Sequence, residues 1–121
     1  MADSFREEMK ERTRKFSLRV IRLFSAIKNE SEEARIIGKQ LLRSATSIGA
    51  NYREACHARS RADFAAKLKI CEGEAAESTY WLELLEDSKI VTATRITPLR
   101  KESKELTAIF RTGTKHLCPD A

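Results

Sequence analysis

Apolar or small side chains fall at Met9, Thr13, Phe16, Val20, Leu23 and Ile27. Alternating steps of four and three put them on one face of an α-helix and do not fit the two-residue alternation of a strand. The row predicts a first helix over about residues 4–28. Asn29, Glu30 and Ser31 interrupt it, and either Asn29 or Ser31 can accept a hydrogen bond from the free amides that open a second helix. That helix, over about 32–57, carries Ile37, Leu41, Ala45, Ile48, Tyr52 and Ala55 on one face. Gly49 lies one turn beyond Ala45. A glycine inside a helix costs about 1 kcal/mol against alanine, so its place here predicts a close approach by a neighbouring helix.

Ser60 followed by Asp63 has the spacing of a capping box, which starts a third helix at about 61–86. Phe64, Leu68, Cys71, Ala75, Ser78, Leu82 and Leu85 continue its steps of four and three without a break. Residues 87–95 lose the period, and Ile90 and Val91 are expected to fold over the bundle end from a loop. Thr97 then reads as a cap and Pro98 as the first helical residue, where a missing N–H is harmless. Leu99, Leu106, Ile109 or Phe110, Gly113 and Leu117 give a fourth helix over about 98–117. Short links between amphipathic helices make sequence neighbours antiparallel, crossing at about 20°. The fold class is therefore all-α, an antiparallel up-down four-helix bundle forming one domain over residues 1–121. A three-helix core with the last helix docked elsewhere is the alternative, because the link before Thr97 is the longest.

Composition supports helices. Four glycines and two prolines in 121 residues are too few turn-formers for a sandwich or barrel. No window reaches the ~20 apolar residues of a membrane span, and the charged amino-terminal segment lacks the apolar stretch of a signal peptide. No membrane partner and a cytoplasmic location are expected. Cys56, Cys71 and Cys118 are widely spaced and form no CxxC, which fits reduced thiols in a reducing compartment.

The stretches QLLRSATSIGANYREA from Gln40 to Ala55 and DFAAKLKICEGEAAESTYWLELL from Asp63 to Leu85 resemble the four-helix-bundle proteins encoded in intervening sequences of bacterial large-subunit (23S) ribosomal RNA genes. Gln40, Arg43, Ser47, Ile48, Asn51, Glu54, Phe64, Leu68, Glu77 and Leu82 match that family's pattern position by position. The resemblance, weaker around Phe16 to Leu23 and uninformative after Glu86, implies a homo-oligomer, commonly a pentameric ring. It also implies a distant relation to the accessory proteins of diversity-generating retroelements, which bind nucleic acid. No established biochemical activity comes with it.

The net charge of +5 is unevenly spread: residues 1–61 hold fourteen basic against eight acidic side chains, and residues 62–121 nine against ten. Arg12, Lys15, Arg19 and Arg22 step along one face of the first helix, in a segment from Arg12 to Lys28 without an acid. Repeated positive charge of this kind suits an RNA or DNA backbone, where neutralising phosphates releases counterions. With no aromatic side chains between the cations, base stacking is not expected. The other reading is that the stripe meets an acidic face, residues 63–87 holding seven acids against two lysines, within the subunit or in the next one.

A second constellation is the polar row Gln40, Arg43, Ser47, Asn51 and Glu54 on the second helix, with Glu74, Glu77 and Trp81 flanking on the third. Half-buried polar groups must be paired. Arg43 with Glu77, or Asn51 with a facing backbone, would do this, the row fixing bundle register or a subunit interface anchored by Trp81 and Tyr52. Glu54 and Glu77 as acid and base, or a ligand groove, are the competing uses. His57 beside Cys56 and His116 near Cys118 lack metal-ligand spacing. No metal, cofactor or catalytic residue is expected. The chain reads as a non-enzymatic oligomeric bundle that presents a basic face to RNA or DNA, or as a structural or protein-interaction module whose charges serve self-assembly only.

Overall fold

The apolar rows become four helices in a computed structural model that describes the backbone of residues 2–116 and the side chains of residues 4–113. They are α1 (Ala2–Ile27), α2 (Glu32–Ala55), α3 (Arg61–Asp87) and α4 (Ala93–His116). Leu117 and Cys118, and the side chain of His116, lie outside the described residues. Each helix packs on its sequence neighbours and α4 closes the ring against α1, while α1 and α3 sit diagonally opposite. Ser44 faces Ser78 and Ser47 faces Glu74, so residue numbers rise along α2 as they fall along α3. The arrangement is the up-down bundle expected from the short links.

The helix starts follow from side-chain chemistry. Ser31 Oγ accepts the Ala34 amide at 3.0 Å and Ser60 Oγ the Asp63 amide at 3.0 Å, each satisfying a donor that the helix itself leaves over. The α3 end uses backbone alone. Lys89 adopts a left-handed φ of 64°, which lets the amides of both Ile90 and Val91 reach the Leu85 carbonyl at 3.1 Å. Val91 is buried there and Ile90 half-buried, so this pair does close the bundle end.

The start of α4 differs from expectation. The Thr92 carbonyl, not a Thr97 cap, takes the Arg95 and Ile96 amides, and Pro98 lies inside the helix. Burial of Ile96 drives the earlier start: it extends the core row Ile96, Leu99, Ser103, Leu106, Phe110 by a turn. Pro98 costs the bond to the Thr94 carbonyl, in the second turn of the helix, where Thr94 is exposed to water.

Phe16, Ile48, Leu68, Leu82, Leu106 and Phe110 form the centre of the core. Tyr52 packs diagonally across it on Phe110, ring centroids 5.7 Å apart, so Tyr52 is a core residue and not an interface anchor. The α1–α2 contact is the close one that Gly49 predicted. A Cβ on Gly49 would sit 3.2 Å from Thr13 Oγ1, and one on Gly38 only 2.7 Å from the Phe24 ring. Between them, Ser17 Oγ donates to the Ala45 carbonyl at 3.2 Å. Replacing Gly38 with leucine should therefore lower stability by about 1–3 kcal/mol, read as a shift in urea midpoint at unchanged slope; an unchanged midpoint would mean that α1 and α2 can separate without loss.

Candidate functional site

The basic stripe of α1 divides in two. Arg12 turns into the seam with α4, where Nε donates to Glu102 Oε2 at 2.7 Å and Nη2 to Glu102 Oε1 at 2.8 Å and Glu105 Oε1 at 2.7 Å. These hydrogen bonds hold the guanidinium even more firmly protonated than usual. Arg12 is thus a clamp across the sparsest of the helix contacts, α1 with α4. Its acidic partners are not those between residues 63 and 87, since α3 lies across the bundle from α1. Arg43, Arg100 and Arg111 occupy several of those acids instead.

Lys15, Arg19 and Arg22 stay on the outer side of α1, where with Glu11, Arg14 and Leu18 they line a shallow groove. Arg14 holds Glu11 at 3.1 Å. Among the described residues, Lys15, Arg19 and Arg22 make no ion pair. Three cations spread over two turns, about 10 Å of helix, surround the half-buried Leu18.

The polar row assembles as a connected network along the α2–α3 seam. Arg43 bonds Glu77 and, at 3.5 Å, Glu74; Glu74 accepts the Ser47 hydroxyl at 3.0 Å. Asn51 donates to the Ser47 carbonyl and Oγ, both at 2.9 Å, so its partner lies on its own helix and not across the seam. Trp81 Nε1 donates to Glu77 at 2.9 Å. The indole, and then Arg43, hold the Glu77 carboxyl below its usual range, and Glu77 in turn raises the Arg43 guanidinium. At the bundle end Glu54 accepts Lys67 at 3.3 Å, while Gln40 is exposed and makes no hydrogen bond among the described residues.

This geometry does not bring Glu54 and Glu77 together: Glu54 is level with Lys67, about 15 Å along α3 from Glu77. Among the described residues no three His, Cys, Asp or Glu side chains gather to hold a metal ion. Cys71 is buried, its thiol pushed up to about 12 chiefly by desolvation, so it stays neutral. No described helix is long and apolar enough to cross a membrane.

A protein-family model described as 23S rRNA-intervening sequence protein matches residues 7–112. The chain belongs to that family. Among solved structures it is similar to a protein of the S23 ribosomal protein family from Bacteroides thetaiotaomicron VPI-5482, described as of unknown function, with 38% identity, 91% of this chain and 97% of that one covered, and a TM-score of 0.84. No curated protein matches. For this 23S rRNA-intervening sequence protein, then, the comparisons establish family and bundle, and the residues must carry any functional reading.

Partners that sequence reasoning missed are Glu102 and Glu105. Their three-residue spacing marks one face of α4, but which face meets α1 depends on the phase of a helix whose start was misplaced. Two measurements follow. Arg12→Ala should cost about 1–3 kcal/mol, because it strands the part-buried Glu102 at the seam; a urea midpoint equal to wild type would show the clamp to be inert. Trp81→Phe should raise the Glu77 pKa towards the ordinary carboxylate range, read by carbon-detected NMR titration. Since the folded value is depressed, Glu77 contributes stability that is complete at neutral pH and fades as pH falls through that value. The variant should lose part of that acid-side dependence.

Proposed function

We propose that this 23S rRNA-intervening sequence protein is a non-enzymatic bundle that assembles with copies of itself and holds the phosphate backbone of RNA or DNA along α1. The observation that carries the nucleic-acid half is the row Lys15, Arg19 and Arg22, left without ion pairs among the described residues while most cations elsewhere along the helix seams have a carboxylate partner. Lys15 and Arg22 are exposed and Arg19 half-buried, and cations left without a carboxylate among the described residues release counterions on meeting phosphates. The groove has no exposed aromatic ring beside them, so the contact is to backbone and not to bases.

Self-assembly is supported by the α2–α3 face. Trp81 is half-buried, Tyr80 stacks edge-on against it at 5.0 Å, and Ile36 and Tyr80 are 51% and 52% exposed. Aromatic and aliphatic side chains around a paired polar network are the composition of an interface centre. The ion pairs of that network join the 52% exposed Arg43 side chain to the part-buried Glu74 and Glu77 and add only about 0–1 kcal/mol each to the monomer.

Anisotropy with structured RNA and with duplex DNA across a salt series tests the nucleic-acid reading. Binding should weaken linearly in log–log form as salt rises. The triple variant Lys15→Glu, Arg19→Glu and Arg22→Glu should abolish it at unchanged helicity, and single Ala variants should each flatten the slope by about 0.7–0.9. No binding at low salt, or full binding by the triple variant, would remove α1 as the contact.

A further inference from the structure

The seam between α1 and α4 has carboxylates at one end only. The acids of α1 stop at Glu11 and those of α4 begin at Glu102. Towards the other end, where α1 finishes and α4 starts, both stretches are purely basic. Residues 12–29 hold six cations and no acid, and residues 88–101 hold Lys89, Arg95, Arg100 and Lys101 and no acid. Of those four, Arg100 turns away from α1 to reach Glu86 on α3.

The Arg12–Glu102 bridge sets the register of the whole seam, because α1 and α4 run antiparallel. Seven residues beyond Arg12 along α1 stands Arg19, and seven residues before Glu102 along α4 stands Arg95. Both displacements lead the same way, about 10 Å towards the start of α4. A step of seven turns the helix side by only about 20°. Arg19 therefore keeps to the flank of α1 that Arg12 occupies, where that flank meets the outer groove, and Arg95 keeps to the flank of α4 that carries Glu102. Two turns along from an arginine that faces a carboxylate, an arginine thus faces an arginine. Arg19 is half-buried and Arg95 exposed, and neither side chain makes a hydrogen bond or ion pair among the described residues. Like charges so placed repel each other. An anion between them satisfies both, and two guanidinium forks are a donor set suited to phosphate.

Resting on the nucleic-acid reading above, we infer that Arg19 and Arg95 hold one phosphate of the RNA or DNA backbone between them. The backbone then crosses from α1 to α4 over this seam and does not simply run along α1. Lys15 and Arg22, each about one turn from Arg19, take the flanking phosphates. The sparse contact of α1 with α4 leaves the seam open to a strand arriving from the side, and the Arg12 clamp marks where the basic path ends.

Anisotropy with the structured RNA and the duplex DNA, over the same salt series, reads the site. Arg95→Ala should flatten the log–log salt slope by about 0.7–0.9, as the loss of one phosphate contact does. Lys104→Ala, on the groove between α3 and α4, should leave the slope alone. A second readout needs no nucleic acid. Arg95→Glu should raise the urea midpoint of the free protein, since it turns a repelling pair into an ion pair, while it weakens binding. An acid near the start of a helix is stabilising by itself, so the gain must be larger in the wild-type background than beside Arg19→Ala. If wild type binds neither nucleic acid at low salt, the nucleic-acid reading falls and the seam site with it. If wild type binds and the α1 triple variant abolishes binding, but Arg95→Ala keeps the full slope, α1 stands as the contact and the path onto α4 is wrong. Equal gains from Arg95→Glu in the two backgrounds would show that the two arginines do not face each other, which also overturns the site.

Discussion

Ser44 and Ser78 meet at 2.8 Å in the bundle interior, and this contact holds α2 and α3 in register. Both hydroxyls are fully buried, so sliding one helix by a turn would break the hydrogen bond between them, a loss of about 0.5–1.5 kcal/mol, while each kept its carbonyl partner on its own helix. Ser44 also reaches the Leu41 carbonyl and Ser78 the Glu74 carbonyl. The opposite flank of α3 repeats the device, with Thr79 and Ser103 at 2.6 Å. Apolar rows slide more easily past one another than do hydroxyl pairs, so the two pairs select one axial alignment among several that hydrophobic burial tolerates.

The surface inherits that alignment. Ser47 lies one turn from Ser44, and Glu74 and Glu77 flank Ser78, so the hydroxyl pair places the Ser47–Glu74 bond and the Arg43–Glu77 pair beside it. Trp81, one turn past Glu77, then fixes the carboxylate by its indole and presents its ring edge with Tyr80. A polar row that looks like chemistry is thereby a rigid and satisfied surface. Among the described residues no buried side-chain nitrogen or oxygen lacks a hydrogen bond.

The seam between α1 and α4 works differently. Small residues bring α1 close to α2, but α4 meets α1 sparingly, and Arg12 bridges them with three charge-assisted bonds. The bridge takes one half-buried cation out of the basic stripe and leaves Lys15 and Arg22 exposed. Division of one row of like charges between a structural clamp and an open face follows from angle alone: Arg12 points towards the seam, while Lys15 and Arg22 point away from the bundle.

Periodicity by itself determined that the chain makes four helices in an up-down bundle, because an amphipathic stripe has to be buried whichever neighbour buries it. The caps at Ser31 and Ser60 and the close approach at Gly49 were legible for the same local reason. The start of α4 was not, since Pro98 and Thr97 formed a good local start signal that burial of Ile96 overrode. Nor could the chain alone decide that Tyr52 would turn inward onto Phe110, that Arg12 would be claimed by Glu102 and Glu105, or that Gly73 would face open space while Gly38 and Gly49 face side chains. Each depends on which helix stands beside which and at what rotation, and a stripe fixes the inward face of a helix without naming what lies across from it.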